Sequence, residues 1–182
     1  MTGASESARG FILGRLPFGN TGLILRWLTP DSGRMTTMAK GALKPNNSFG
    51  LQFDLYYLCE LQFIPARRGD MHTLKEVRLV EPYLGLRREW KTLLALEYFA
   101  ALIEAMTESS TALPDDFDLF AKAVDYLNTH SATQTLVDRF EQKMLVIHGL
   151  GSSESGDFLT AIRRHHLHVP VQRGRLLHEL SG

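Results

Sequence analysis

A chain of 182 residues, 44% hydrophobic, with 20 basic and 20 acidic side chains, can bury a real core and has room for one large or two small domains. Its single cysteine, Cys59, excludes an internal disulfide framework and a cysteine-cluster zinc ribbon. No stretch approaches the roughly 18 apolar residues of a membrane span, and residues 1–10 lack the apolar run of a signal peptide. The expectation is therefore a soluble cytoplasmic protein.

The neutral total hides an asymmetry. Through Lys91 thirteen bases face eight acids, a balance of +5. From Thr92 to His148 three bases face nine acids, a balance of −6. A basic half followed by an acidic one predicts two domains with different partners, the basic one suited to a polyanion. The boundary is expected at 82/83.

The first half is strand-like. Residues 11–16, 23–28 and 35–39 are short apolar and β-branched runs, 51–64 is longer and aromatic, and 72–80 follows. The breaks between them are rich in Pro, Gly, Asn and Asp, which set turn dihedrals or bond back to their own backbone. Five strands in about 80 residues predict a small barrel, and the oligonucleotide-binding (OB) barrel has this strand number.

The second half changes period. Leu93, Leu96, Ala100, Ile103 and Met106 mark an amphipathic helix. Pro114-Asp115-Asp116 starts a second, with Phe117, Phe120, Val124 and Leu127 as its apolar stripe. The spacing of Ser131 to Gln134 predicts a capping box before a third helix, striped by Leu136, Phe140, Met144 and Ile147, with Gly149 just past its end. A Gly/Ser-rich linker over 149–156, a short helix over 157–166 and a final turn or two over 173–180 complete the expectation. The fold class is α+β: a five-stranded OB barrel followed by a helical domain.

Strand three makes the best local case for a function. Arg34, Thr36, Met38 and Lys40 share one parity and so one face, while Met35, Thr37, Ala39 and Gly41 share the other. Lys44 extends the basic side into the next loop, and Arg15 and Arg26 lie on the neighbouring strands. Cations placed so neutralise phosphates and release counterions. Arg67-Arg68 in a predicted turn adds a basic pair, as does Arg87-Arg88 at the barrel–helix junction. Single-strand binding also draws on aromatic stacking, for which Phe18, Phe49 and Tyr57 are candidates. Phe11, Trp27, Phe53 and Phe63 read as core. His165-His166-Leu167-His168 lacks the spaced ligands of a zinc site, and Cys59 reads as a buried thiol. No metal, cofactor or catalytic residue is assigned.

Several stretches taken in order resemble the RecO family of bacterial recombination mediators. They are Gly10-Phe11-Ile12-Leu13, Pro17-Phe18-Gly19, the turn from Leu28 to Gly33, Ala39-Lys40-Gly41-Ala42 with Ser48 beyond, the strand from Gly69 to Glu76, and Phe140-Glu141 through Gly149-Leu150. The chain departs from the family pattern at Asn20-Thr21, where a Glu is usual, and in lacking the family's cysteine cluster, so no zinc site is carried over. The resemblance implies a non-enzymatic protein of the bacterial nucleoid. It implies binding of single- and double-stranded DNA, strand annealing, action with RecR, and help in loading RecA. It also implies a helical domain that holds the acidic, apolar tail of single-stranded-DNA-binding protein, for which Arg139, Lys143, Arg163 and Arg164 are the available cations. Two rivals are a protein-interaction scaffold without DNA affinity and a metal hydrolase built on the histidines.

Overall fold

The computed structural model describes residues 4–50, 53–151 and 158–182. Five strands, β1 (Glu6–Phe18), β2 (Gly22–Thr29), β3 (Gly33–Ala39), β4 (Leu58–Ile64) and β5 (Met71–Glu81), close into a barrel of order β1-β2-β3-β5-β4. All neighbours are antiparallel except β3 and β5. This is an OB-type barrel, as the strand count predicts.

One long strand closes it. The first part of β1 pairs with β4, from Glu6↔Phe63 to Phe11↔Leu58, and the second part pairs with β2, from Phe11↔Leu28 to Phe18↔Gly22. A bulge between Ile12 and Gly14 gives the extra twist the bend requires. Inward positions of β2 and β3 alternate strictly: Leu23, Leu25, Trp27, Met35 and Ala39 join Phe49, Phe53, Cys59, Leu61 and Phe63 in one apolar core. The indole N–H of Trp27 donates to the Thr37 hydroxyl at 2.9 Å, which satisfies both buried polar groups. Burial pushes the Cys59 thiol up to about 12, so it stays protonated and unreactive at neutral pH.

The strand expected over 51–64 is shorter. Leu51 and Gln52 lie outside the described residues, and β4 starts only at Leu58. The Asp54 carboxylate accepts from Leu55 N at 2.9 Å and Tyr56 takes a left-handed φ of 64°, so the chain turns here instead of extending. Phe49 is buried in the core and Tyr57 half-buried against it.

The chain divides into two compact units, 1–82 with 109–117, and 83–108 with 118–182. In the first, residues 109–117 lie on the barrel. Ser110 N donates to Arg34 O at 3.0 Å, Leu113 N to Pro30 O at 2.8 Å, and the rings of Phe11 and Phe117 sit 5.4 Å apart. Gly33 is required twice over: its φ is +62°, and a Cβ there would come within 1.8 Å of Thr111 O.

The second unit contains α1 (Trp90–Met106), most of α2 (Pro114–Leu127), α3 (Gln134–Ile147), α4 (Phe158–Arg164) and α5 (Gln172–Leu180). α1 is buried well beyond the single stripe expected, with Leu94, Ala95, Tyr98, Phe99 and Leu102 covered as well as Leu96, Ala100 and Ile103. It packs against α3 and α5, and Phe99 stacks on Phe140 at 3.9 Å. The cap of α3 is Thr133 and not Ser131: the Thr133 hydroxyl accepts from Leu136 N at 3.2 Å, while Ser131 donates to Glu89. Gly149 follows the helix in the left-handed conformation. Of the predicted linker, 152–156 lies outside the described residues, as does Asp157 of the predicted fourth helix.

A buried polar cluster ties three of these helices. Glu141, 2% exposed, accepts from the Tyr98 hydroxyl at 2.6 Å. It also accepts a two-pronged pair from Arg173, Nε to Oε1 at 2.6 Å and Nη2 to Oε2 at 3.1 Å. The bonds to Glu141 hold the Arg173 guanidinium charged. Burial first, and the Glu141 charge second, push the Tyr98 phenol well above its ordinary value.

Candidate nucleic-acid interface

The register of β1, β2 and β3 sets outward side chains in rows. At the hairpin end, Phe18 stands opposite Gly22, and Lys40 follows one residue past the last β2–β3 pair, Leu23↔Ala39. The next row is Leu16, Ile24 and Met38. The third is Gly14, Arg26 and Thr36, with Met71 of β5 beyond. At the far end Leu28 faces Arg34. No outward position in these rows holds a carboxylate. Gly14 leaves room for its neighbour: a Cβ there would lie 2.6 Å from Arg26 Nε and 2.7 Å from Nη2, so the guanidinium brings its Nε–Nη2 edge against the bare backbone.

The predicted basic residues fall into three places. Lys40 and Lys44 are exposed at the open end of the face, and Arg26 is exposed two rows in from it. The loop carrying Lys44 is held beside the β1–β2 turn by Leu43 N donating to Thr21 O at 2.9 Å. Arg34 is half-buried at the other end, where residues 109–117 cross the barrel. Arg67 and Arg68 are exposed in the β4–β5 turn, just before Met71. Arg15 is separate: the bulge sets it opposite Leu25, on the inward parity at the barrel mouth. There its Nη1 donates to Phe53 O at 2.6 Å, and Nη2 lies 3.6 Å from Asp54.

Among the stacking candidates, Phe49 is core and Tyr57 half-buried, which leaves Phe18, 52% exposed. The face also exposes Leu16 at 62% and, in the adjoining loop, Leu43 at 48%, neither of which sequence reasoning singled out. Strand parity alone marks Leu16 as sharing a face with Phe18.

The helical unit has a second candidate surface. Leu119, Lys122, Ala123 and Tyr126 of α2 and Leu136, Arg139, Phe140 and Lys143 of α3 line an apolar groove with three cations at its rim. Arg139 and Lys143 are a helical turn apart, which sets them on one side of α3. Arg163 and Arg164 are exposed in the last turn of α4, and His165 and His166 follow in the turn. Among the described residues, no group of three or more His, Cys, Asp or Glu side chains is placed to hold a metal ion. No helix there is long and apolar enough to cross a membrane.

Residues 1–83 match the family profile "Recombination protein O N terminal", and residues 87–160 match "Recombination protein O C terminal". A protein of Haemophilus influenzae named "DNA repair protein RecO" is 30% identical over 170 residues, 87% of this chain and 69% of the relative. The chain belongs to the RecO family. Two more RecO proteins are similar over less of their length. One from Xanthomonas campestris is 28% identical over 80% of this chain and 58% of its own length, and one from a Cyanothece species is 29% identical over 73% and 45%. The chain thus spans roughly half to two thirds of the RecO proteins it matches. The two RecO profiles meet between residues 83 and 87, where β5 has ended and the short 3-10 helix Leu84–Arg87 begins.

Proposed function

We propose that this chain is a non-enzymatic DNA-repair and recombination mediator. It binds single- and double-stranded DNA through the β1–β2–β3 face of its barrel, promotes annealing of complementary strands, and acts with RecR in loading RecA. The observation that carries the reading is the acid-free outward ladder with Lys40 and Lys44 exposed at one end and Arg26 exposed in its middle. Arg34, Arg67 and Arg68 form its margins, and Arg15 lies at the barrel mouth.

The mechanism is electrostatic. Two strands that approach each other repel through their phosphates. A surface that neutralises both lowers that repulsion and releases counterions, so binding weakens as salt rises. Nothing in this requires a covalent step. The groove between α2 and α3 supports a second role. Its apolar floor with Lys122, Arg139 and Lys143 at the rim suits a peptide ending in acidic and apolar residues, such as the tail of single-stranded-DNA-binding protein. Membership of the RecO family supports both roles, and the setting they imply is the bacterial nucleoid.

The test is titration of a fluorescent single-stranded oligonucleotide at low salt, with wild type beside the Arg26→Glu, Lys40→Glu double variant. Wild type is expected to bind and the variant to lose most of its affinity. The exposed Leu16, Phe18 and Leu43 favour one alternative, a barrel that docks a partner protein and ignores DNA. A wild type that fails to bind even at low salt would select that alternative.

A further inference from the structure

We propose that Phe18 is a base-stacking residue, which makes the β1–β2–β3 face prefer unpaired bases to a continuous duplex. The inference rests on the nucleic-acid reading of that face and deepens it. The five other phenylalanine and tryptophan side chains of the barrel, Phe11, Trp27, Phe49, Phe53 and Phe63, are buried, whereas Phe18 keeps half its surface in solvent at the end of β1. Across the sheet from it stands Gly22, which contributes no side chain, and beyond Gly22 comes Lys40. Gly22 itself is buried, so an exposed aromatic ring and an exposed cation stand at the same end of the face with no side chain between them. The next row, Leu16, Ile24 and Met38, continues the apolar floor away from the turn. A flat ring with a phosphate attached matches this arrangement: the base lies against the exposed face of Phe18, and the phosphate meets Lys40.

The chemistry separates single strands from duplex. In a duplex the bases are already stacked on one another, and an approaching surface meets mainly phosphates and sugars, to which a phenyl ring offers little. A single strand presents the faces of its bases, and stacking on an aromatic strengthens binding whatever the base. Cations at Arg26, Lys40 and Lys44 attract both forms, so discrimination falls to the aromatic.

The test compares oligothymidylate, an abasic oligonucleotide of the same length and charge, and a duplex, against wild type, Phe18→Ala and Phe18→Trp. Stacking of one base predicts that wild type favours oligothymidylate over the abasic strand by roughly five- to a hundredfold. Phe18→Ala should abolish that preference and leave abasic and duplex binding unchanged, and Phe18→Trp should keep it. Because Phe18 is exposed, melting temperatures should match across the three proteins. Equal affinity of wild type for oligothymidylate and the abasic strand, or an equal loss on all three ligands in Phe18→Ala, overturns the role of Phe18. The Arg26→Glu, Lys40→Glu variant read on the abasic strand tests the underlying reading separately: if it binds that strand as well as wild type does, the basic face itself is wrong.

Discussion

On the β4–β5 side of the barrel, Arg9, Glu60 and Arg78 stand in one row across β1, β4 and β5, with Ser7, Gln62 and Glu76 in the row beside them. Arg78 Nε donates to Glu60 at 3.1 Å. On the β1–β2–β3 side the outward rows contain Arg26, Arg34 and, at the end, Lys40, interleaved with Leu16, Phe18, Ile24 and Met38, and no acid at all. Both faces come from the same period-two alternation, and both carry arginine. The difference is in the company the cations keep. Where acid and base alternate across strands the field cancels at short range, and the pair contributes little beyond solvation. Where cations stand among apolar groups their field reaches outward. Counting arginines therefore says less about a polyanion site than asking which carboxylates share their rows.

The largest expected effect puts the comparison at risk directly. Reversing Arg26 and Lys40 should cost about 1.5–3 kcal/mol of DNA affinity per charged contact, together a hundredfold or more. Reversing Arg9 and Arg78 on the balanced face should cost under tenfold in the same titration. Equal losses would mean that net charge alone matters and that the two faces are equivalent.

A second prediction concerns arginine used for stability alone. Arg173 is 16% exposed and fully engaged with Glu141. Glu141→Ala leaves that guanidinium and the Tyr98 hydroxyl without their acceptor and should lower unfolding free energy by about 3–5 kcal/mol in denaturant titration. The Arg26→Glu, Lys40→Glu variant should stay within about 0.5 kcal/mol of wild type, as exposed substitutions generally do.

The smallest effect is in pH. Unfolded, the Cys59 thiol ionises near its ordinary value of about 8.5. Folded, burial pushes it up to about 12. Below pH ~8.5 both states hold the proton and stability is unaffected. Above it only the unfolded chain releases the proton, so the fold loses up to about 1.4 kcal/mol per pH unit as pH rises toward 12. Tyr98, displaced in the same direction, adds to the loss above its ordinary value of about 10. Denaturation at pH 8 and pH 10 should show stability falling by about 1–2 kcal/mol, and Cys59→Ala should remove most of that part.

Much of the barrel was legible because each clue was local. The alternation of β3 alone assigns Arg34, Thr36 and Met38 to one side and Met35, Thr37 and Ala39 to the other, and the structure keeps that division. What was not legible depended on long-range geometry. The bulge between Ile12 and Gly14 decides which side of β1 Arg15 joins, and no residue pattern announces it. Phe18 and Phe49 both sit beside turn glycines, yet one is exposed and the other is core, because the loop after β3 folds back across the barrel end. Arg173 finds Glu141 across 32 positions of sequence, beyond any local pattern. In the candidate site the cations were readable residue by residue. Parity also puts Met38 with Arg34 and Lys40, and Leu16 with Phe18, but that Leu16 and Phe18 stay exposed came only with the structure, because a lone Leu or Phe on a strand usually means core.

The central claim is that the open end of the β1–β2–β3 face contacts phosphate, and the most direct measurement is the salt dependence of single-strand binding. Log affinity plotted against log salt for wild type and for Lys40→Gln should give two straight lines, the variant's slope flatter by about 0.7, which corresponds to one lost phosphate contact. Parallel lines would place Lys40 outside the interface and contradict the account.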